Sequence, residues 1–226
     1  MANVIEYGVR RFGWINWLGV WTLIWRENMR YLAIWQQTIF APLVTAGLFL
    51  LVFSIAIGPG RSDVMGFRYV TFLAPGLLMM TVIQNSFANT SSSMLSAKVM
   101  GSIVDTLMPP LSPLEMTVGF LAGGIGRGLM IGAVLCLAMG LTLGIWIVHP
   151  IWTFIFVILG GMFMGALGLL GSIYAYKFDQ MAAISNFVIT PLAFLSGTFY
   201  SIQALPEMLQ PIIHVNPMFY IIDGGR

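Results

Sequence analysis

The stretch that decides the fold class covers residues 151–174 and reads IWTFIFVILGGMFMGALGLLGSIY. It contains no charged side chain, and a helix that is apolar on every side is buried in a large core or spans a membrane. About 20 apolar residues are enough to cross the roughly 30 Å of hydrocarbon in a bilayer. This stretch therefore predicts a transmembrane helix.

The composition of the whole chain has the same character. Of its 226 residues, 58% are hydrophobic and 8% are charged, whereas a soluble domain has about 25% charged residues. The formal net charge is only +2, and the basic residues are too scattered to indicate a nucleic-acid partner. Cys136 is the single cysteine, which excludes a disulfide framework and a cysteine-based metal site. The chain is predicted to be an all-α protein of the lipid bilayer, built as one domain.

Other apolar stretches extend this prediction to five complete spans. The first is followed by Gly58-Pro59-Gly60, and the second meets the polar block at residues 89–93, so both have clear ends. The third is longer than a span requires and allows for tilt. The five predicted spans cover residues 35–57, 69–87, 114–147, 151–174 and 181–199.

Residues 12–31 have a different pattern. Trp14, Trp17, Trp21 and Trp25 are spaced by three or four residues and share one face of a helix. Charged residues such as Glu27 are interspersed with them. The pattern favours an amphipathic helix in the membrane interface, with indoles at headgroup depth; the alternative is a helix in a soluble core.

Two further segments are predicted to be neither spans nor simple loops. Between spans two and three, Val99, Ile103 and Leu107 recur every four residues before the double proline at residues 109–110. This predicts a short surface helix over residues 97–108. Residues 201–226 are apolar but interrupted by three prolines, which is typical of a re-entrant or interfacial segment.

The distribution of basic residues predicts the orientation. A cytoplasmic N-terminus places six basic residues inside and three outside, which agrees with the positive-inside rule. The inside set is Arg10, Arg11, Arg26, Arg30, Lys98 and Lys177, and the outside set is Arg61, Arg68 and Arg226.

The chemistry of the side chains excludes several mechanisms. The sequence has no Gly-Lys-Ser/Thr, so the chain has no phosphate-binding loop of its own for ATP. Its carboxylates fall at predicted span ends or in loops, which weakens an ion-coupled mechanism. His149 and His214 lie far apart beside prolines and are read as interfacial loop residues, so no catalytic pair or metal site is expected.

Arg127 is the charged residue inside a predicted span. A charge there costs about 2.5–3.5 kcal/mol on insertion scales, so its side chain must face protein or water. Two interpretations remain open, an arginine that binds helix-end carbonyls or part of a polar passage or gate. Small residues at four-residue spacing lie nearby, and they indicate close helix packing or a self-association face. This set is Gly124, Gly128 and Gly132, with Gly161, Gly165, Gly168 and Ser172 in the next span.

Four motifs in order resemble the permeases of type-2 ABC exporters. They extend over nearly the whole chain from Trp35 onward. They are FLAPGLLMMTVIQNSF at residues 72–87, PLSPLE at 110–115 followed by RGL at 127–129, SGTFY at 196–200 continuing into LPEMLQP at 205–211, and NPMFY at 216–220 with Asp223.

The resemblance implies the energy source that the chain itself lacks. Such a permease pairs with a second copy of itself in the bacterial cytoplasmic (inner) membrane and rests on a separate cytoplasmic ATPase. ATP and Mg would bind to that partner, and this chain would bind no cofactor. The resemblance also implies a sixth span, of about 20–30 residues, which is expected after residue 226.

The resemblance also assigns roles to residues. The helix at residues 97–108 would dock in the ATPase and couple it to transport, through Lys98, Gly101, Ile103, Asp105 and Leu107. The translocation path or gate would include Arg127, Gln84 and Asn85.

Three other functions are compatible with a membrane protein of this composition. An ion-coupled secondary transporter or channel would need intramembrane carboxylates or internally repeated halves. A lipid-processing enzyme would need convergent catalytic side chains at one depth. A membrane scaffold would need only the packing stripes and the interfacial helix.

Overall fold

The computed structural model describes residues 15–56, 69–200 and 210–225, and these residues form helices and connecting turns without a strand. Within this part of the chain, four helical stretches are long and apolar enough to cross a membrane: Gln36–Phe53, Tyr69–Val99, Pro113–Leu143 and Pro150–Tyr174. In chain order the α-helices are α1 Trp17–Ala33, α2 Ala41–Ala56, α3 Tyr69–Val99, α4 Ile103–Leu107, α5 Pro113–Leu143, α6 Pro150–Tyr174, α7 Phe178–Ile184, α8 Thr190–Phe194, α9 Gln210–Val215 and α10 Pro217–Gly224.

Helix α3 is much longer than the span predicted at residues 69–87. The polar block after Phe87 continues the helix, because its hydroxyls hydrogen-bond to carbonyls of the preceding turn. Thr90 Oγ1, for example, donates to the backbone carbonyl oxygen of Ser86 at 3.2 Å and also to the Gly165 carbonyl of α6 at 3.0 Å. The sequence predicted the end of this helix wrongly, since Asn89, Thr90 and Ser91 are buried side chains of a helix interface.

Helix α5 has sequence-encoded ends. Ser112 precedes the first helical residue, Pro113, and forms a capping box with Glu115 in the first turn. Gly144, with φ 68°, ends the helix in the left-handed conformation that glycine adopts without strain. The predicted span at residues 114–147 therefore stops at Leu143, and its last residues form the connection to α6.

Each of two short π-helical segments stands just before a proline. Gln36–Phe40 leads into α2, whose second residue is Pro42, and Ser185–Ile189 leads into α8, whose second residue is Pro191. Proline lacks an N–H and its ring clashes with the carbonyl four residues earlier, which is compatible with a widened turn at these two places; Pro75 lies within α3 without one. The predicted fifth span at residues 181–199 corresponds to the helical run 178–194, which is not among the four membrane-spanning stretches.

The two predicted surface helices are present with shifted bounds. The helix predicted in the interface at residues 12–31 corresponds to α1, which covers Trp17–Ala33. Residues 12–14 of the predicted range lie outside the described residues. In the segment 97–108, residues 97–99 complete α3, Gly101 turns the chain with φ 74°, and α4 covers only Ile103–Leu107. In the predicted re-entrant segment, α9 and α10 are described, whereas residues 201–209 and 226 lie outside the described part of the chain.

Helix α3 forms the centre of the bundle, antiparallel to α5 and parallel to α6. Its side chains fill the space that glycines leave on both neighbours: a Cβ at Gly124 would lie 2.7 Å from Thr90 Cγ2, and one at Gly161 would lie 3.2 Å from Ser86 Oγ. Gly128 and Gly132 of α5 likewise pack against α3, and Gly165 of α6 packs against α5. These glycines thus pack helices within one subunit.

Helix α10 closes the end of the bundle opposite α4. Asn216 caps it through the Met218 amide and also donates to the Leu192 carbonyl at 2.6 Å, which ties α10 to α8. Met218 and Ile222 are fully buried. Gly224 and Gly225 approach Phe156 of α6 and Met79 of α3 too closely for a Cβ, so this segment packs into the bundle and does not lie free beside it.

Candidate functional site

Helix α4 presents an apolar surface at one end of the bundle. Leu107 is 59% exposed and Met108 is 78% exposed. Gly101 and Asp105 are also exposed, while Ile103 is half-buried. The side chain of Thr106 is buried instead and faces α1. Four of the five predicted coupling residues therefore lie on or beside α4, three of them open to contact.

The fifth predicted coupling residue, Lys98, is engaged inside the subunit. Its ammonium donates to the carbonyls of Ser172, Ile173 and Ala175 at 2.9, 2.7 and 2.7 Å. It also lies 4.8 Å from the ring centroid of Tyr176. A cation at a helix C-terminus satisfies free carbonyls and complements the helix dipole. Lys98 thus clamps the C-terminal end of α6 to the end of α3 that leads into α4.

Helix α1 holds α4 from the other side. Arg26 Nη1 donates to Thr106 Oγ1 at 2.9 Å. Between the two helices lies a cavity of about 160 Å³. Its lining residues are Gly19, Thr22, Leu23 and Arg26 of α1 with Asp105, Thr106, Pro109 and Leu111. The short helix is therefore fastened to α1 by a hydrogen bond but is not packed tightly against it.

Helix α1 is amphipathic, but its charged residues are not all on the exposed side. Trp17, Trp21 and Trp25 are 72, 62 and 58% exposed, whereas Glu27 is 1% exposed and faces Gly123 of α5. The buried line Val20, Leu23, Glu27 and Tyr31 runs along α5. Burial raises the pKa of the Tyr31 phenol, and its hydroxyl donates to Asn28 Oδ1 at 2.6 Å.

Glu27 is the centre of a buried ionic network. Its carboxylate lies 3.2 Å from Arg26 Nη2 and 3.4 Å from Arg30 Nε. Arg30 in turn donates to the backbone carbonyl and to the side-chain oxygen of Asn89 at 3.0 and 2.9 Å. The network joins α1 to α3 and, through Arg26 and Thr106, to α4.

Arg127 reaches from α5 to the same region. Its Nη2 donates to Asn85 Oδ1 at 3.0 Å, and Asn85 Nδ2 donates to the Thr81 carbonyl at 2.9 Å. Gln84 lies on the neighbouring position of α3 and is half-buried. The structure thus brings the predicted path residues Arg127 and Asn85 into contact, with Gln84 adjacent on the same helix.

In this half of the bundle, no other helix of the described residues covers one face of α3. The path residues border that face. Ala88 is exposed there, and four polar neighbours at helical spacing are half-buried. The neighbours are Thr81, Gln84, Asn85 and Ser92. Because this open face is polar while the lipid-facing sides of α2 and α6 are apolar, we interpret it as a face toward water or another subunit.

Sequence reasoning did not select Arg26, Glu27, Arg30, Asn89 or Thr106 as site residues. The spacing of Val20, Leu23, Glu27 and Tyr31 is that of a buried helix face, and this signal could have placed the carboxylate inside. Asn89 and Thr106 gave no comparable signal, since polar residues in a connection look solvated.

A second cavity, of about 400 Å³, lies at the opposite end of the bundle. Its walls are mainly apolar, with Phe72, Cys136, Met139 and Trp146 among them and Asp223 at the edge. His149 stands before α6 and His214 lies in α9 with its ring 5.8 Å from that of Phe219. The described ranges contain no group of three or more potential metal ligands.

A family model described as ABC-2 type transporter matches residues 19–226, which include all of the helices above from within α1 onward. The chain belongs to the ABC-2 type transporter family. This confirms the resemblance found in the motifs. The family match and the membrane-spanning helices together show that this ABC-2 chain is a membrane permease subunit.

Curated relatives agree with the family. The inner membrane transport permease YadH of Escherichia coli strain K12 is 36% identical over 215 residues, which cover 94% of this chain and 82% of that protein. Nodulation protein J of Sinorhizobium fredii is 24% identical over 211 residues, which cover 90% of this chain and 78% of that protein.

Proposed function

We propose that this chain is the membrane subunit of an ATP-driven exporter that works as a dimer with a separate cytoplasmic ATPase. The observation that carries the proposal is α4, a five-residue helix with an exposed apolar surface at the end of the bundle. An amphipathic helix that fits into a groove of a partner is a common recognition mode. ATP and Mg are then bound by the partner.

Two contacts suit α4 to pass on movement of the ATPase. Arg26 connects it to α1, and Lys98 connects the adjoining end of α3 to α6. A rigid displacement of α4 would therefore pull on three helices. The glycine at position 101, with positive φ, provides the sharp turn that separates α4 from the rigid end of α3.

We place the α4 end of the bundle in the cytoplasm of a bacterium with the chain in its inner membrane. Arg26, Arg30, Lys98 and Lys177 lie at this end, in agreement with the positive-inside rule. In the dimer, the polar faces of α3 from the two copies would line the translocation path. Gln84 and Asn85 would lie on that path with Arg127 at its border.

The test is co-purification of the ATPase with a tagged permease that carries Leu107→Asp. A carboxylate on the exposed apolar surface should reduce the recovered ATPase at least tenfold, because it must be desolvated in the partner's groove. The matched control is Phe178→Asp, which adds the same charge at an exposed apolar position of α7 at the same end. Equal ATPase recovery from both variants would contradict the docking role of α4.

A further inference from the structure

The junction of α1, α3 and α5 carries more positive charge than the chain neutralises. Arg26 and Arg30 of α1 lie beside the carboxylate of Glu27, and Arg127 of α5 binds Asn85 of α3. Glu27 is paired with Arg26 and Arg30. Within residues 15–56, 69–200 and 210–225, no carboxylate lies within ion-pair distance of Arg127.

The guanidinium of Arg127 is poorly satisfied. It has five N–H donors, and the bond to Asn85 Oδ1 uses one of them. Its Nε is buried and has no partner within the described part of the chain. Arg30 binds the Asn89 side chain and Arg127 binds that of Asn85, so the two guanidiniums contact α3 one helical turn apart. The site thus combines unused donors with two cations of like charge.

The depth of Arg127 makes this imbalance costly. Helix α5 has 31 residues, so its length of about 46 Å exceeds the roughly 30 Å of bilayer hydrocarbon. Counted from Leu143, where α5 ends before Gly144, the roughly 30 Å of hydrocarbon reaches to about residue 123, so Arg127, at about 24 Å, lies just inside its boundary on the α4 side. A charge at such a depth is stabilised only when an opposite charge or water reaches it.

We propose that Arg127 and Arg30, with Asn85 as a positioning residue, bind the phosphate group of a membrane amphiphile. A guanidinium recognises phosphate through two parallel hydrogen bonds. Asn85 fixes the guanidinium, because its own amide is held by the Thr81 carbonyl. The open face of α3 beside Ala88 gives the ligand its approach.

The surroundings indicate that the phosphate is attached to an acyl chain. Met29 and Leu32 of α1 are 47 and 39% exposed beside Arg30, and they offer apolar contacts at the depth where a lipid headgroup meets its chains. Free phosphate would have to leave water without any such compensation. The site shares Asn85 and Arg127 with the proposed translocation path, but lipid binding does not require the ATPase, so the binding experiment and the ATPase co-purification can fail independently.

The experiment is native mass spectrometry and thermal unfolding of the full chain in phosphatidylcholine nanodiscs with increasing phosphatidylglycerol. The parent protein should retain phosphatidylglycerol and unfold at higher temperature as its fraction rises. Arg127→Gln should weaken retention at least tenfold. Lys177→Gln, which removes an exposed cation elsewhere at the α4 end, should behave as the parent.

Asn85→Asp tests the proposed phosphate binding even if Arg127→Gln fails to fold. It places a carboxylate within hydrogen-bond distance of Arg127, and this internal anion should replace the ligand. The variant should lose phosphatidylglycerol retention and unfold at a higher temperature in pure phosphatidylcholine. Parental retention by Asn85→Asp would overturn the proposal. Competition by millimolar inorganic phosphate as strong as by phosphatidylglycerol would overturn the assignment to an amphiphile.

Discussion

Glu27 is a buried carboxylate that stabilises the junction of three helices through its partners. A buried ion pair is not by itself a gain in stability, since both charges lose their hydration. Removing the carboxylate is different, because it takes away the shared counter-charge of Arg26 and Arg30, whose side chains are 47 and 31% exposed. The contacts of Arg26 and Arg30 with Thr106 and Asn89 then lose the charge that holds the two arginines in place.

Glu27→Gln is therefore expected to destabilise the protein by about 1–3 kcal/mol, since water screens the partly exposed arginines that remain. The measurement is the thermal unfolding midpoint of the purified permease. Asp179→Asn is the control, because this carboxylate is exposed at the start of α7 and its loss should change the midpoint little. Similar midpoints for the two variants would show that the network has no structural role.

How far single residues could be predicted depended on whether their neighbours in sequence carry a periodic signal. Arg127 stood out because it is a charge within an apolar run. Its partner Asn85 was selected from a motif and not from geometry. The Asn89 contact with Arg30 joins residues 59 positions apart, and nothing local indicates such a pair.

Among the helices, α6 depends on Lys98 for the satisfaction of its last carbonyls. Lys98→Met keeps most of the aliphatic stem but removes the three hydrogen bonds. We expect the last turn of α6 to fray, with faster hydrogen exchange in a peptide covering residues 165–174. Mass spectrometry of the exchanged protein measures this.

Lys177→Met provides the comparison for Lys98→Met. It removes an exposed lysine just beyond α6 and should leave the exchange of that peptide unchanged. If Lys98→Met also leaves the exchange unchanged, then the clamp does not stabilise the helix end.

The glycines between α3 and α5 yield a second prediction at the scale of elements. Gly124→Val should destabilise the bundle by about 1–3 kcal/mol, because its side chain would overlap Thr90 and the Ser86 carbonyl. Gly47→Ala meets no atom within 4 Å in α2 and should stabilise the helix by about 0.5–1 kcal/mol. Thermal unfolding of both variants measures the contrast, and equal effects would contradict the close packing of α3 on α5.

The elements themselves were predictable where apolar length and capping residues agreed. The helix at residues 150–174 was found almost to the residue, and Pro113 after Ser112 marked the start of α5. The polar block at residues 89–93 misled the prediction because burial against glycines depends on other helices. Pro42 and Pro191 coincide with widened turns, whereas Pro75 lies within α3 without one, so the prolines alone could not predict where the helices widen.

For the molecule as a whole, the proposed orientation can be tested by cysteine labelling in intact cells. In a Cys136→Ser background, Val148→Cys at the end opposite α4 should react with a membrane-impermeant maleimide added outside. Met100→Cys should react only after the cells are opened, because the proposed orientation puts α4 in the cytoplasm. Both residues are more than 75% exposed, so the reverse pattern would mean the reverse orientation.

The central claim is that this chain is one half of a permease dimer that an external ATPase drives. The most direct test is purification of the tagged protein from its own membrane in a mild detergent or in nanodiscs, followed by native mass spectrometry of the intact assembly. We predict a complex with two copies of this chain and a stoichiometric ATPase that dissociates when Leu107 is changed to Asp. Reproducible recovery of the chain without any ATPase, under conditions that keep such complexes together, would contradict the claim.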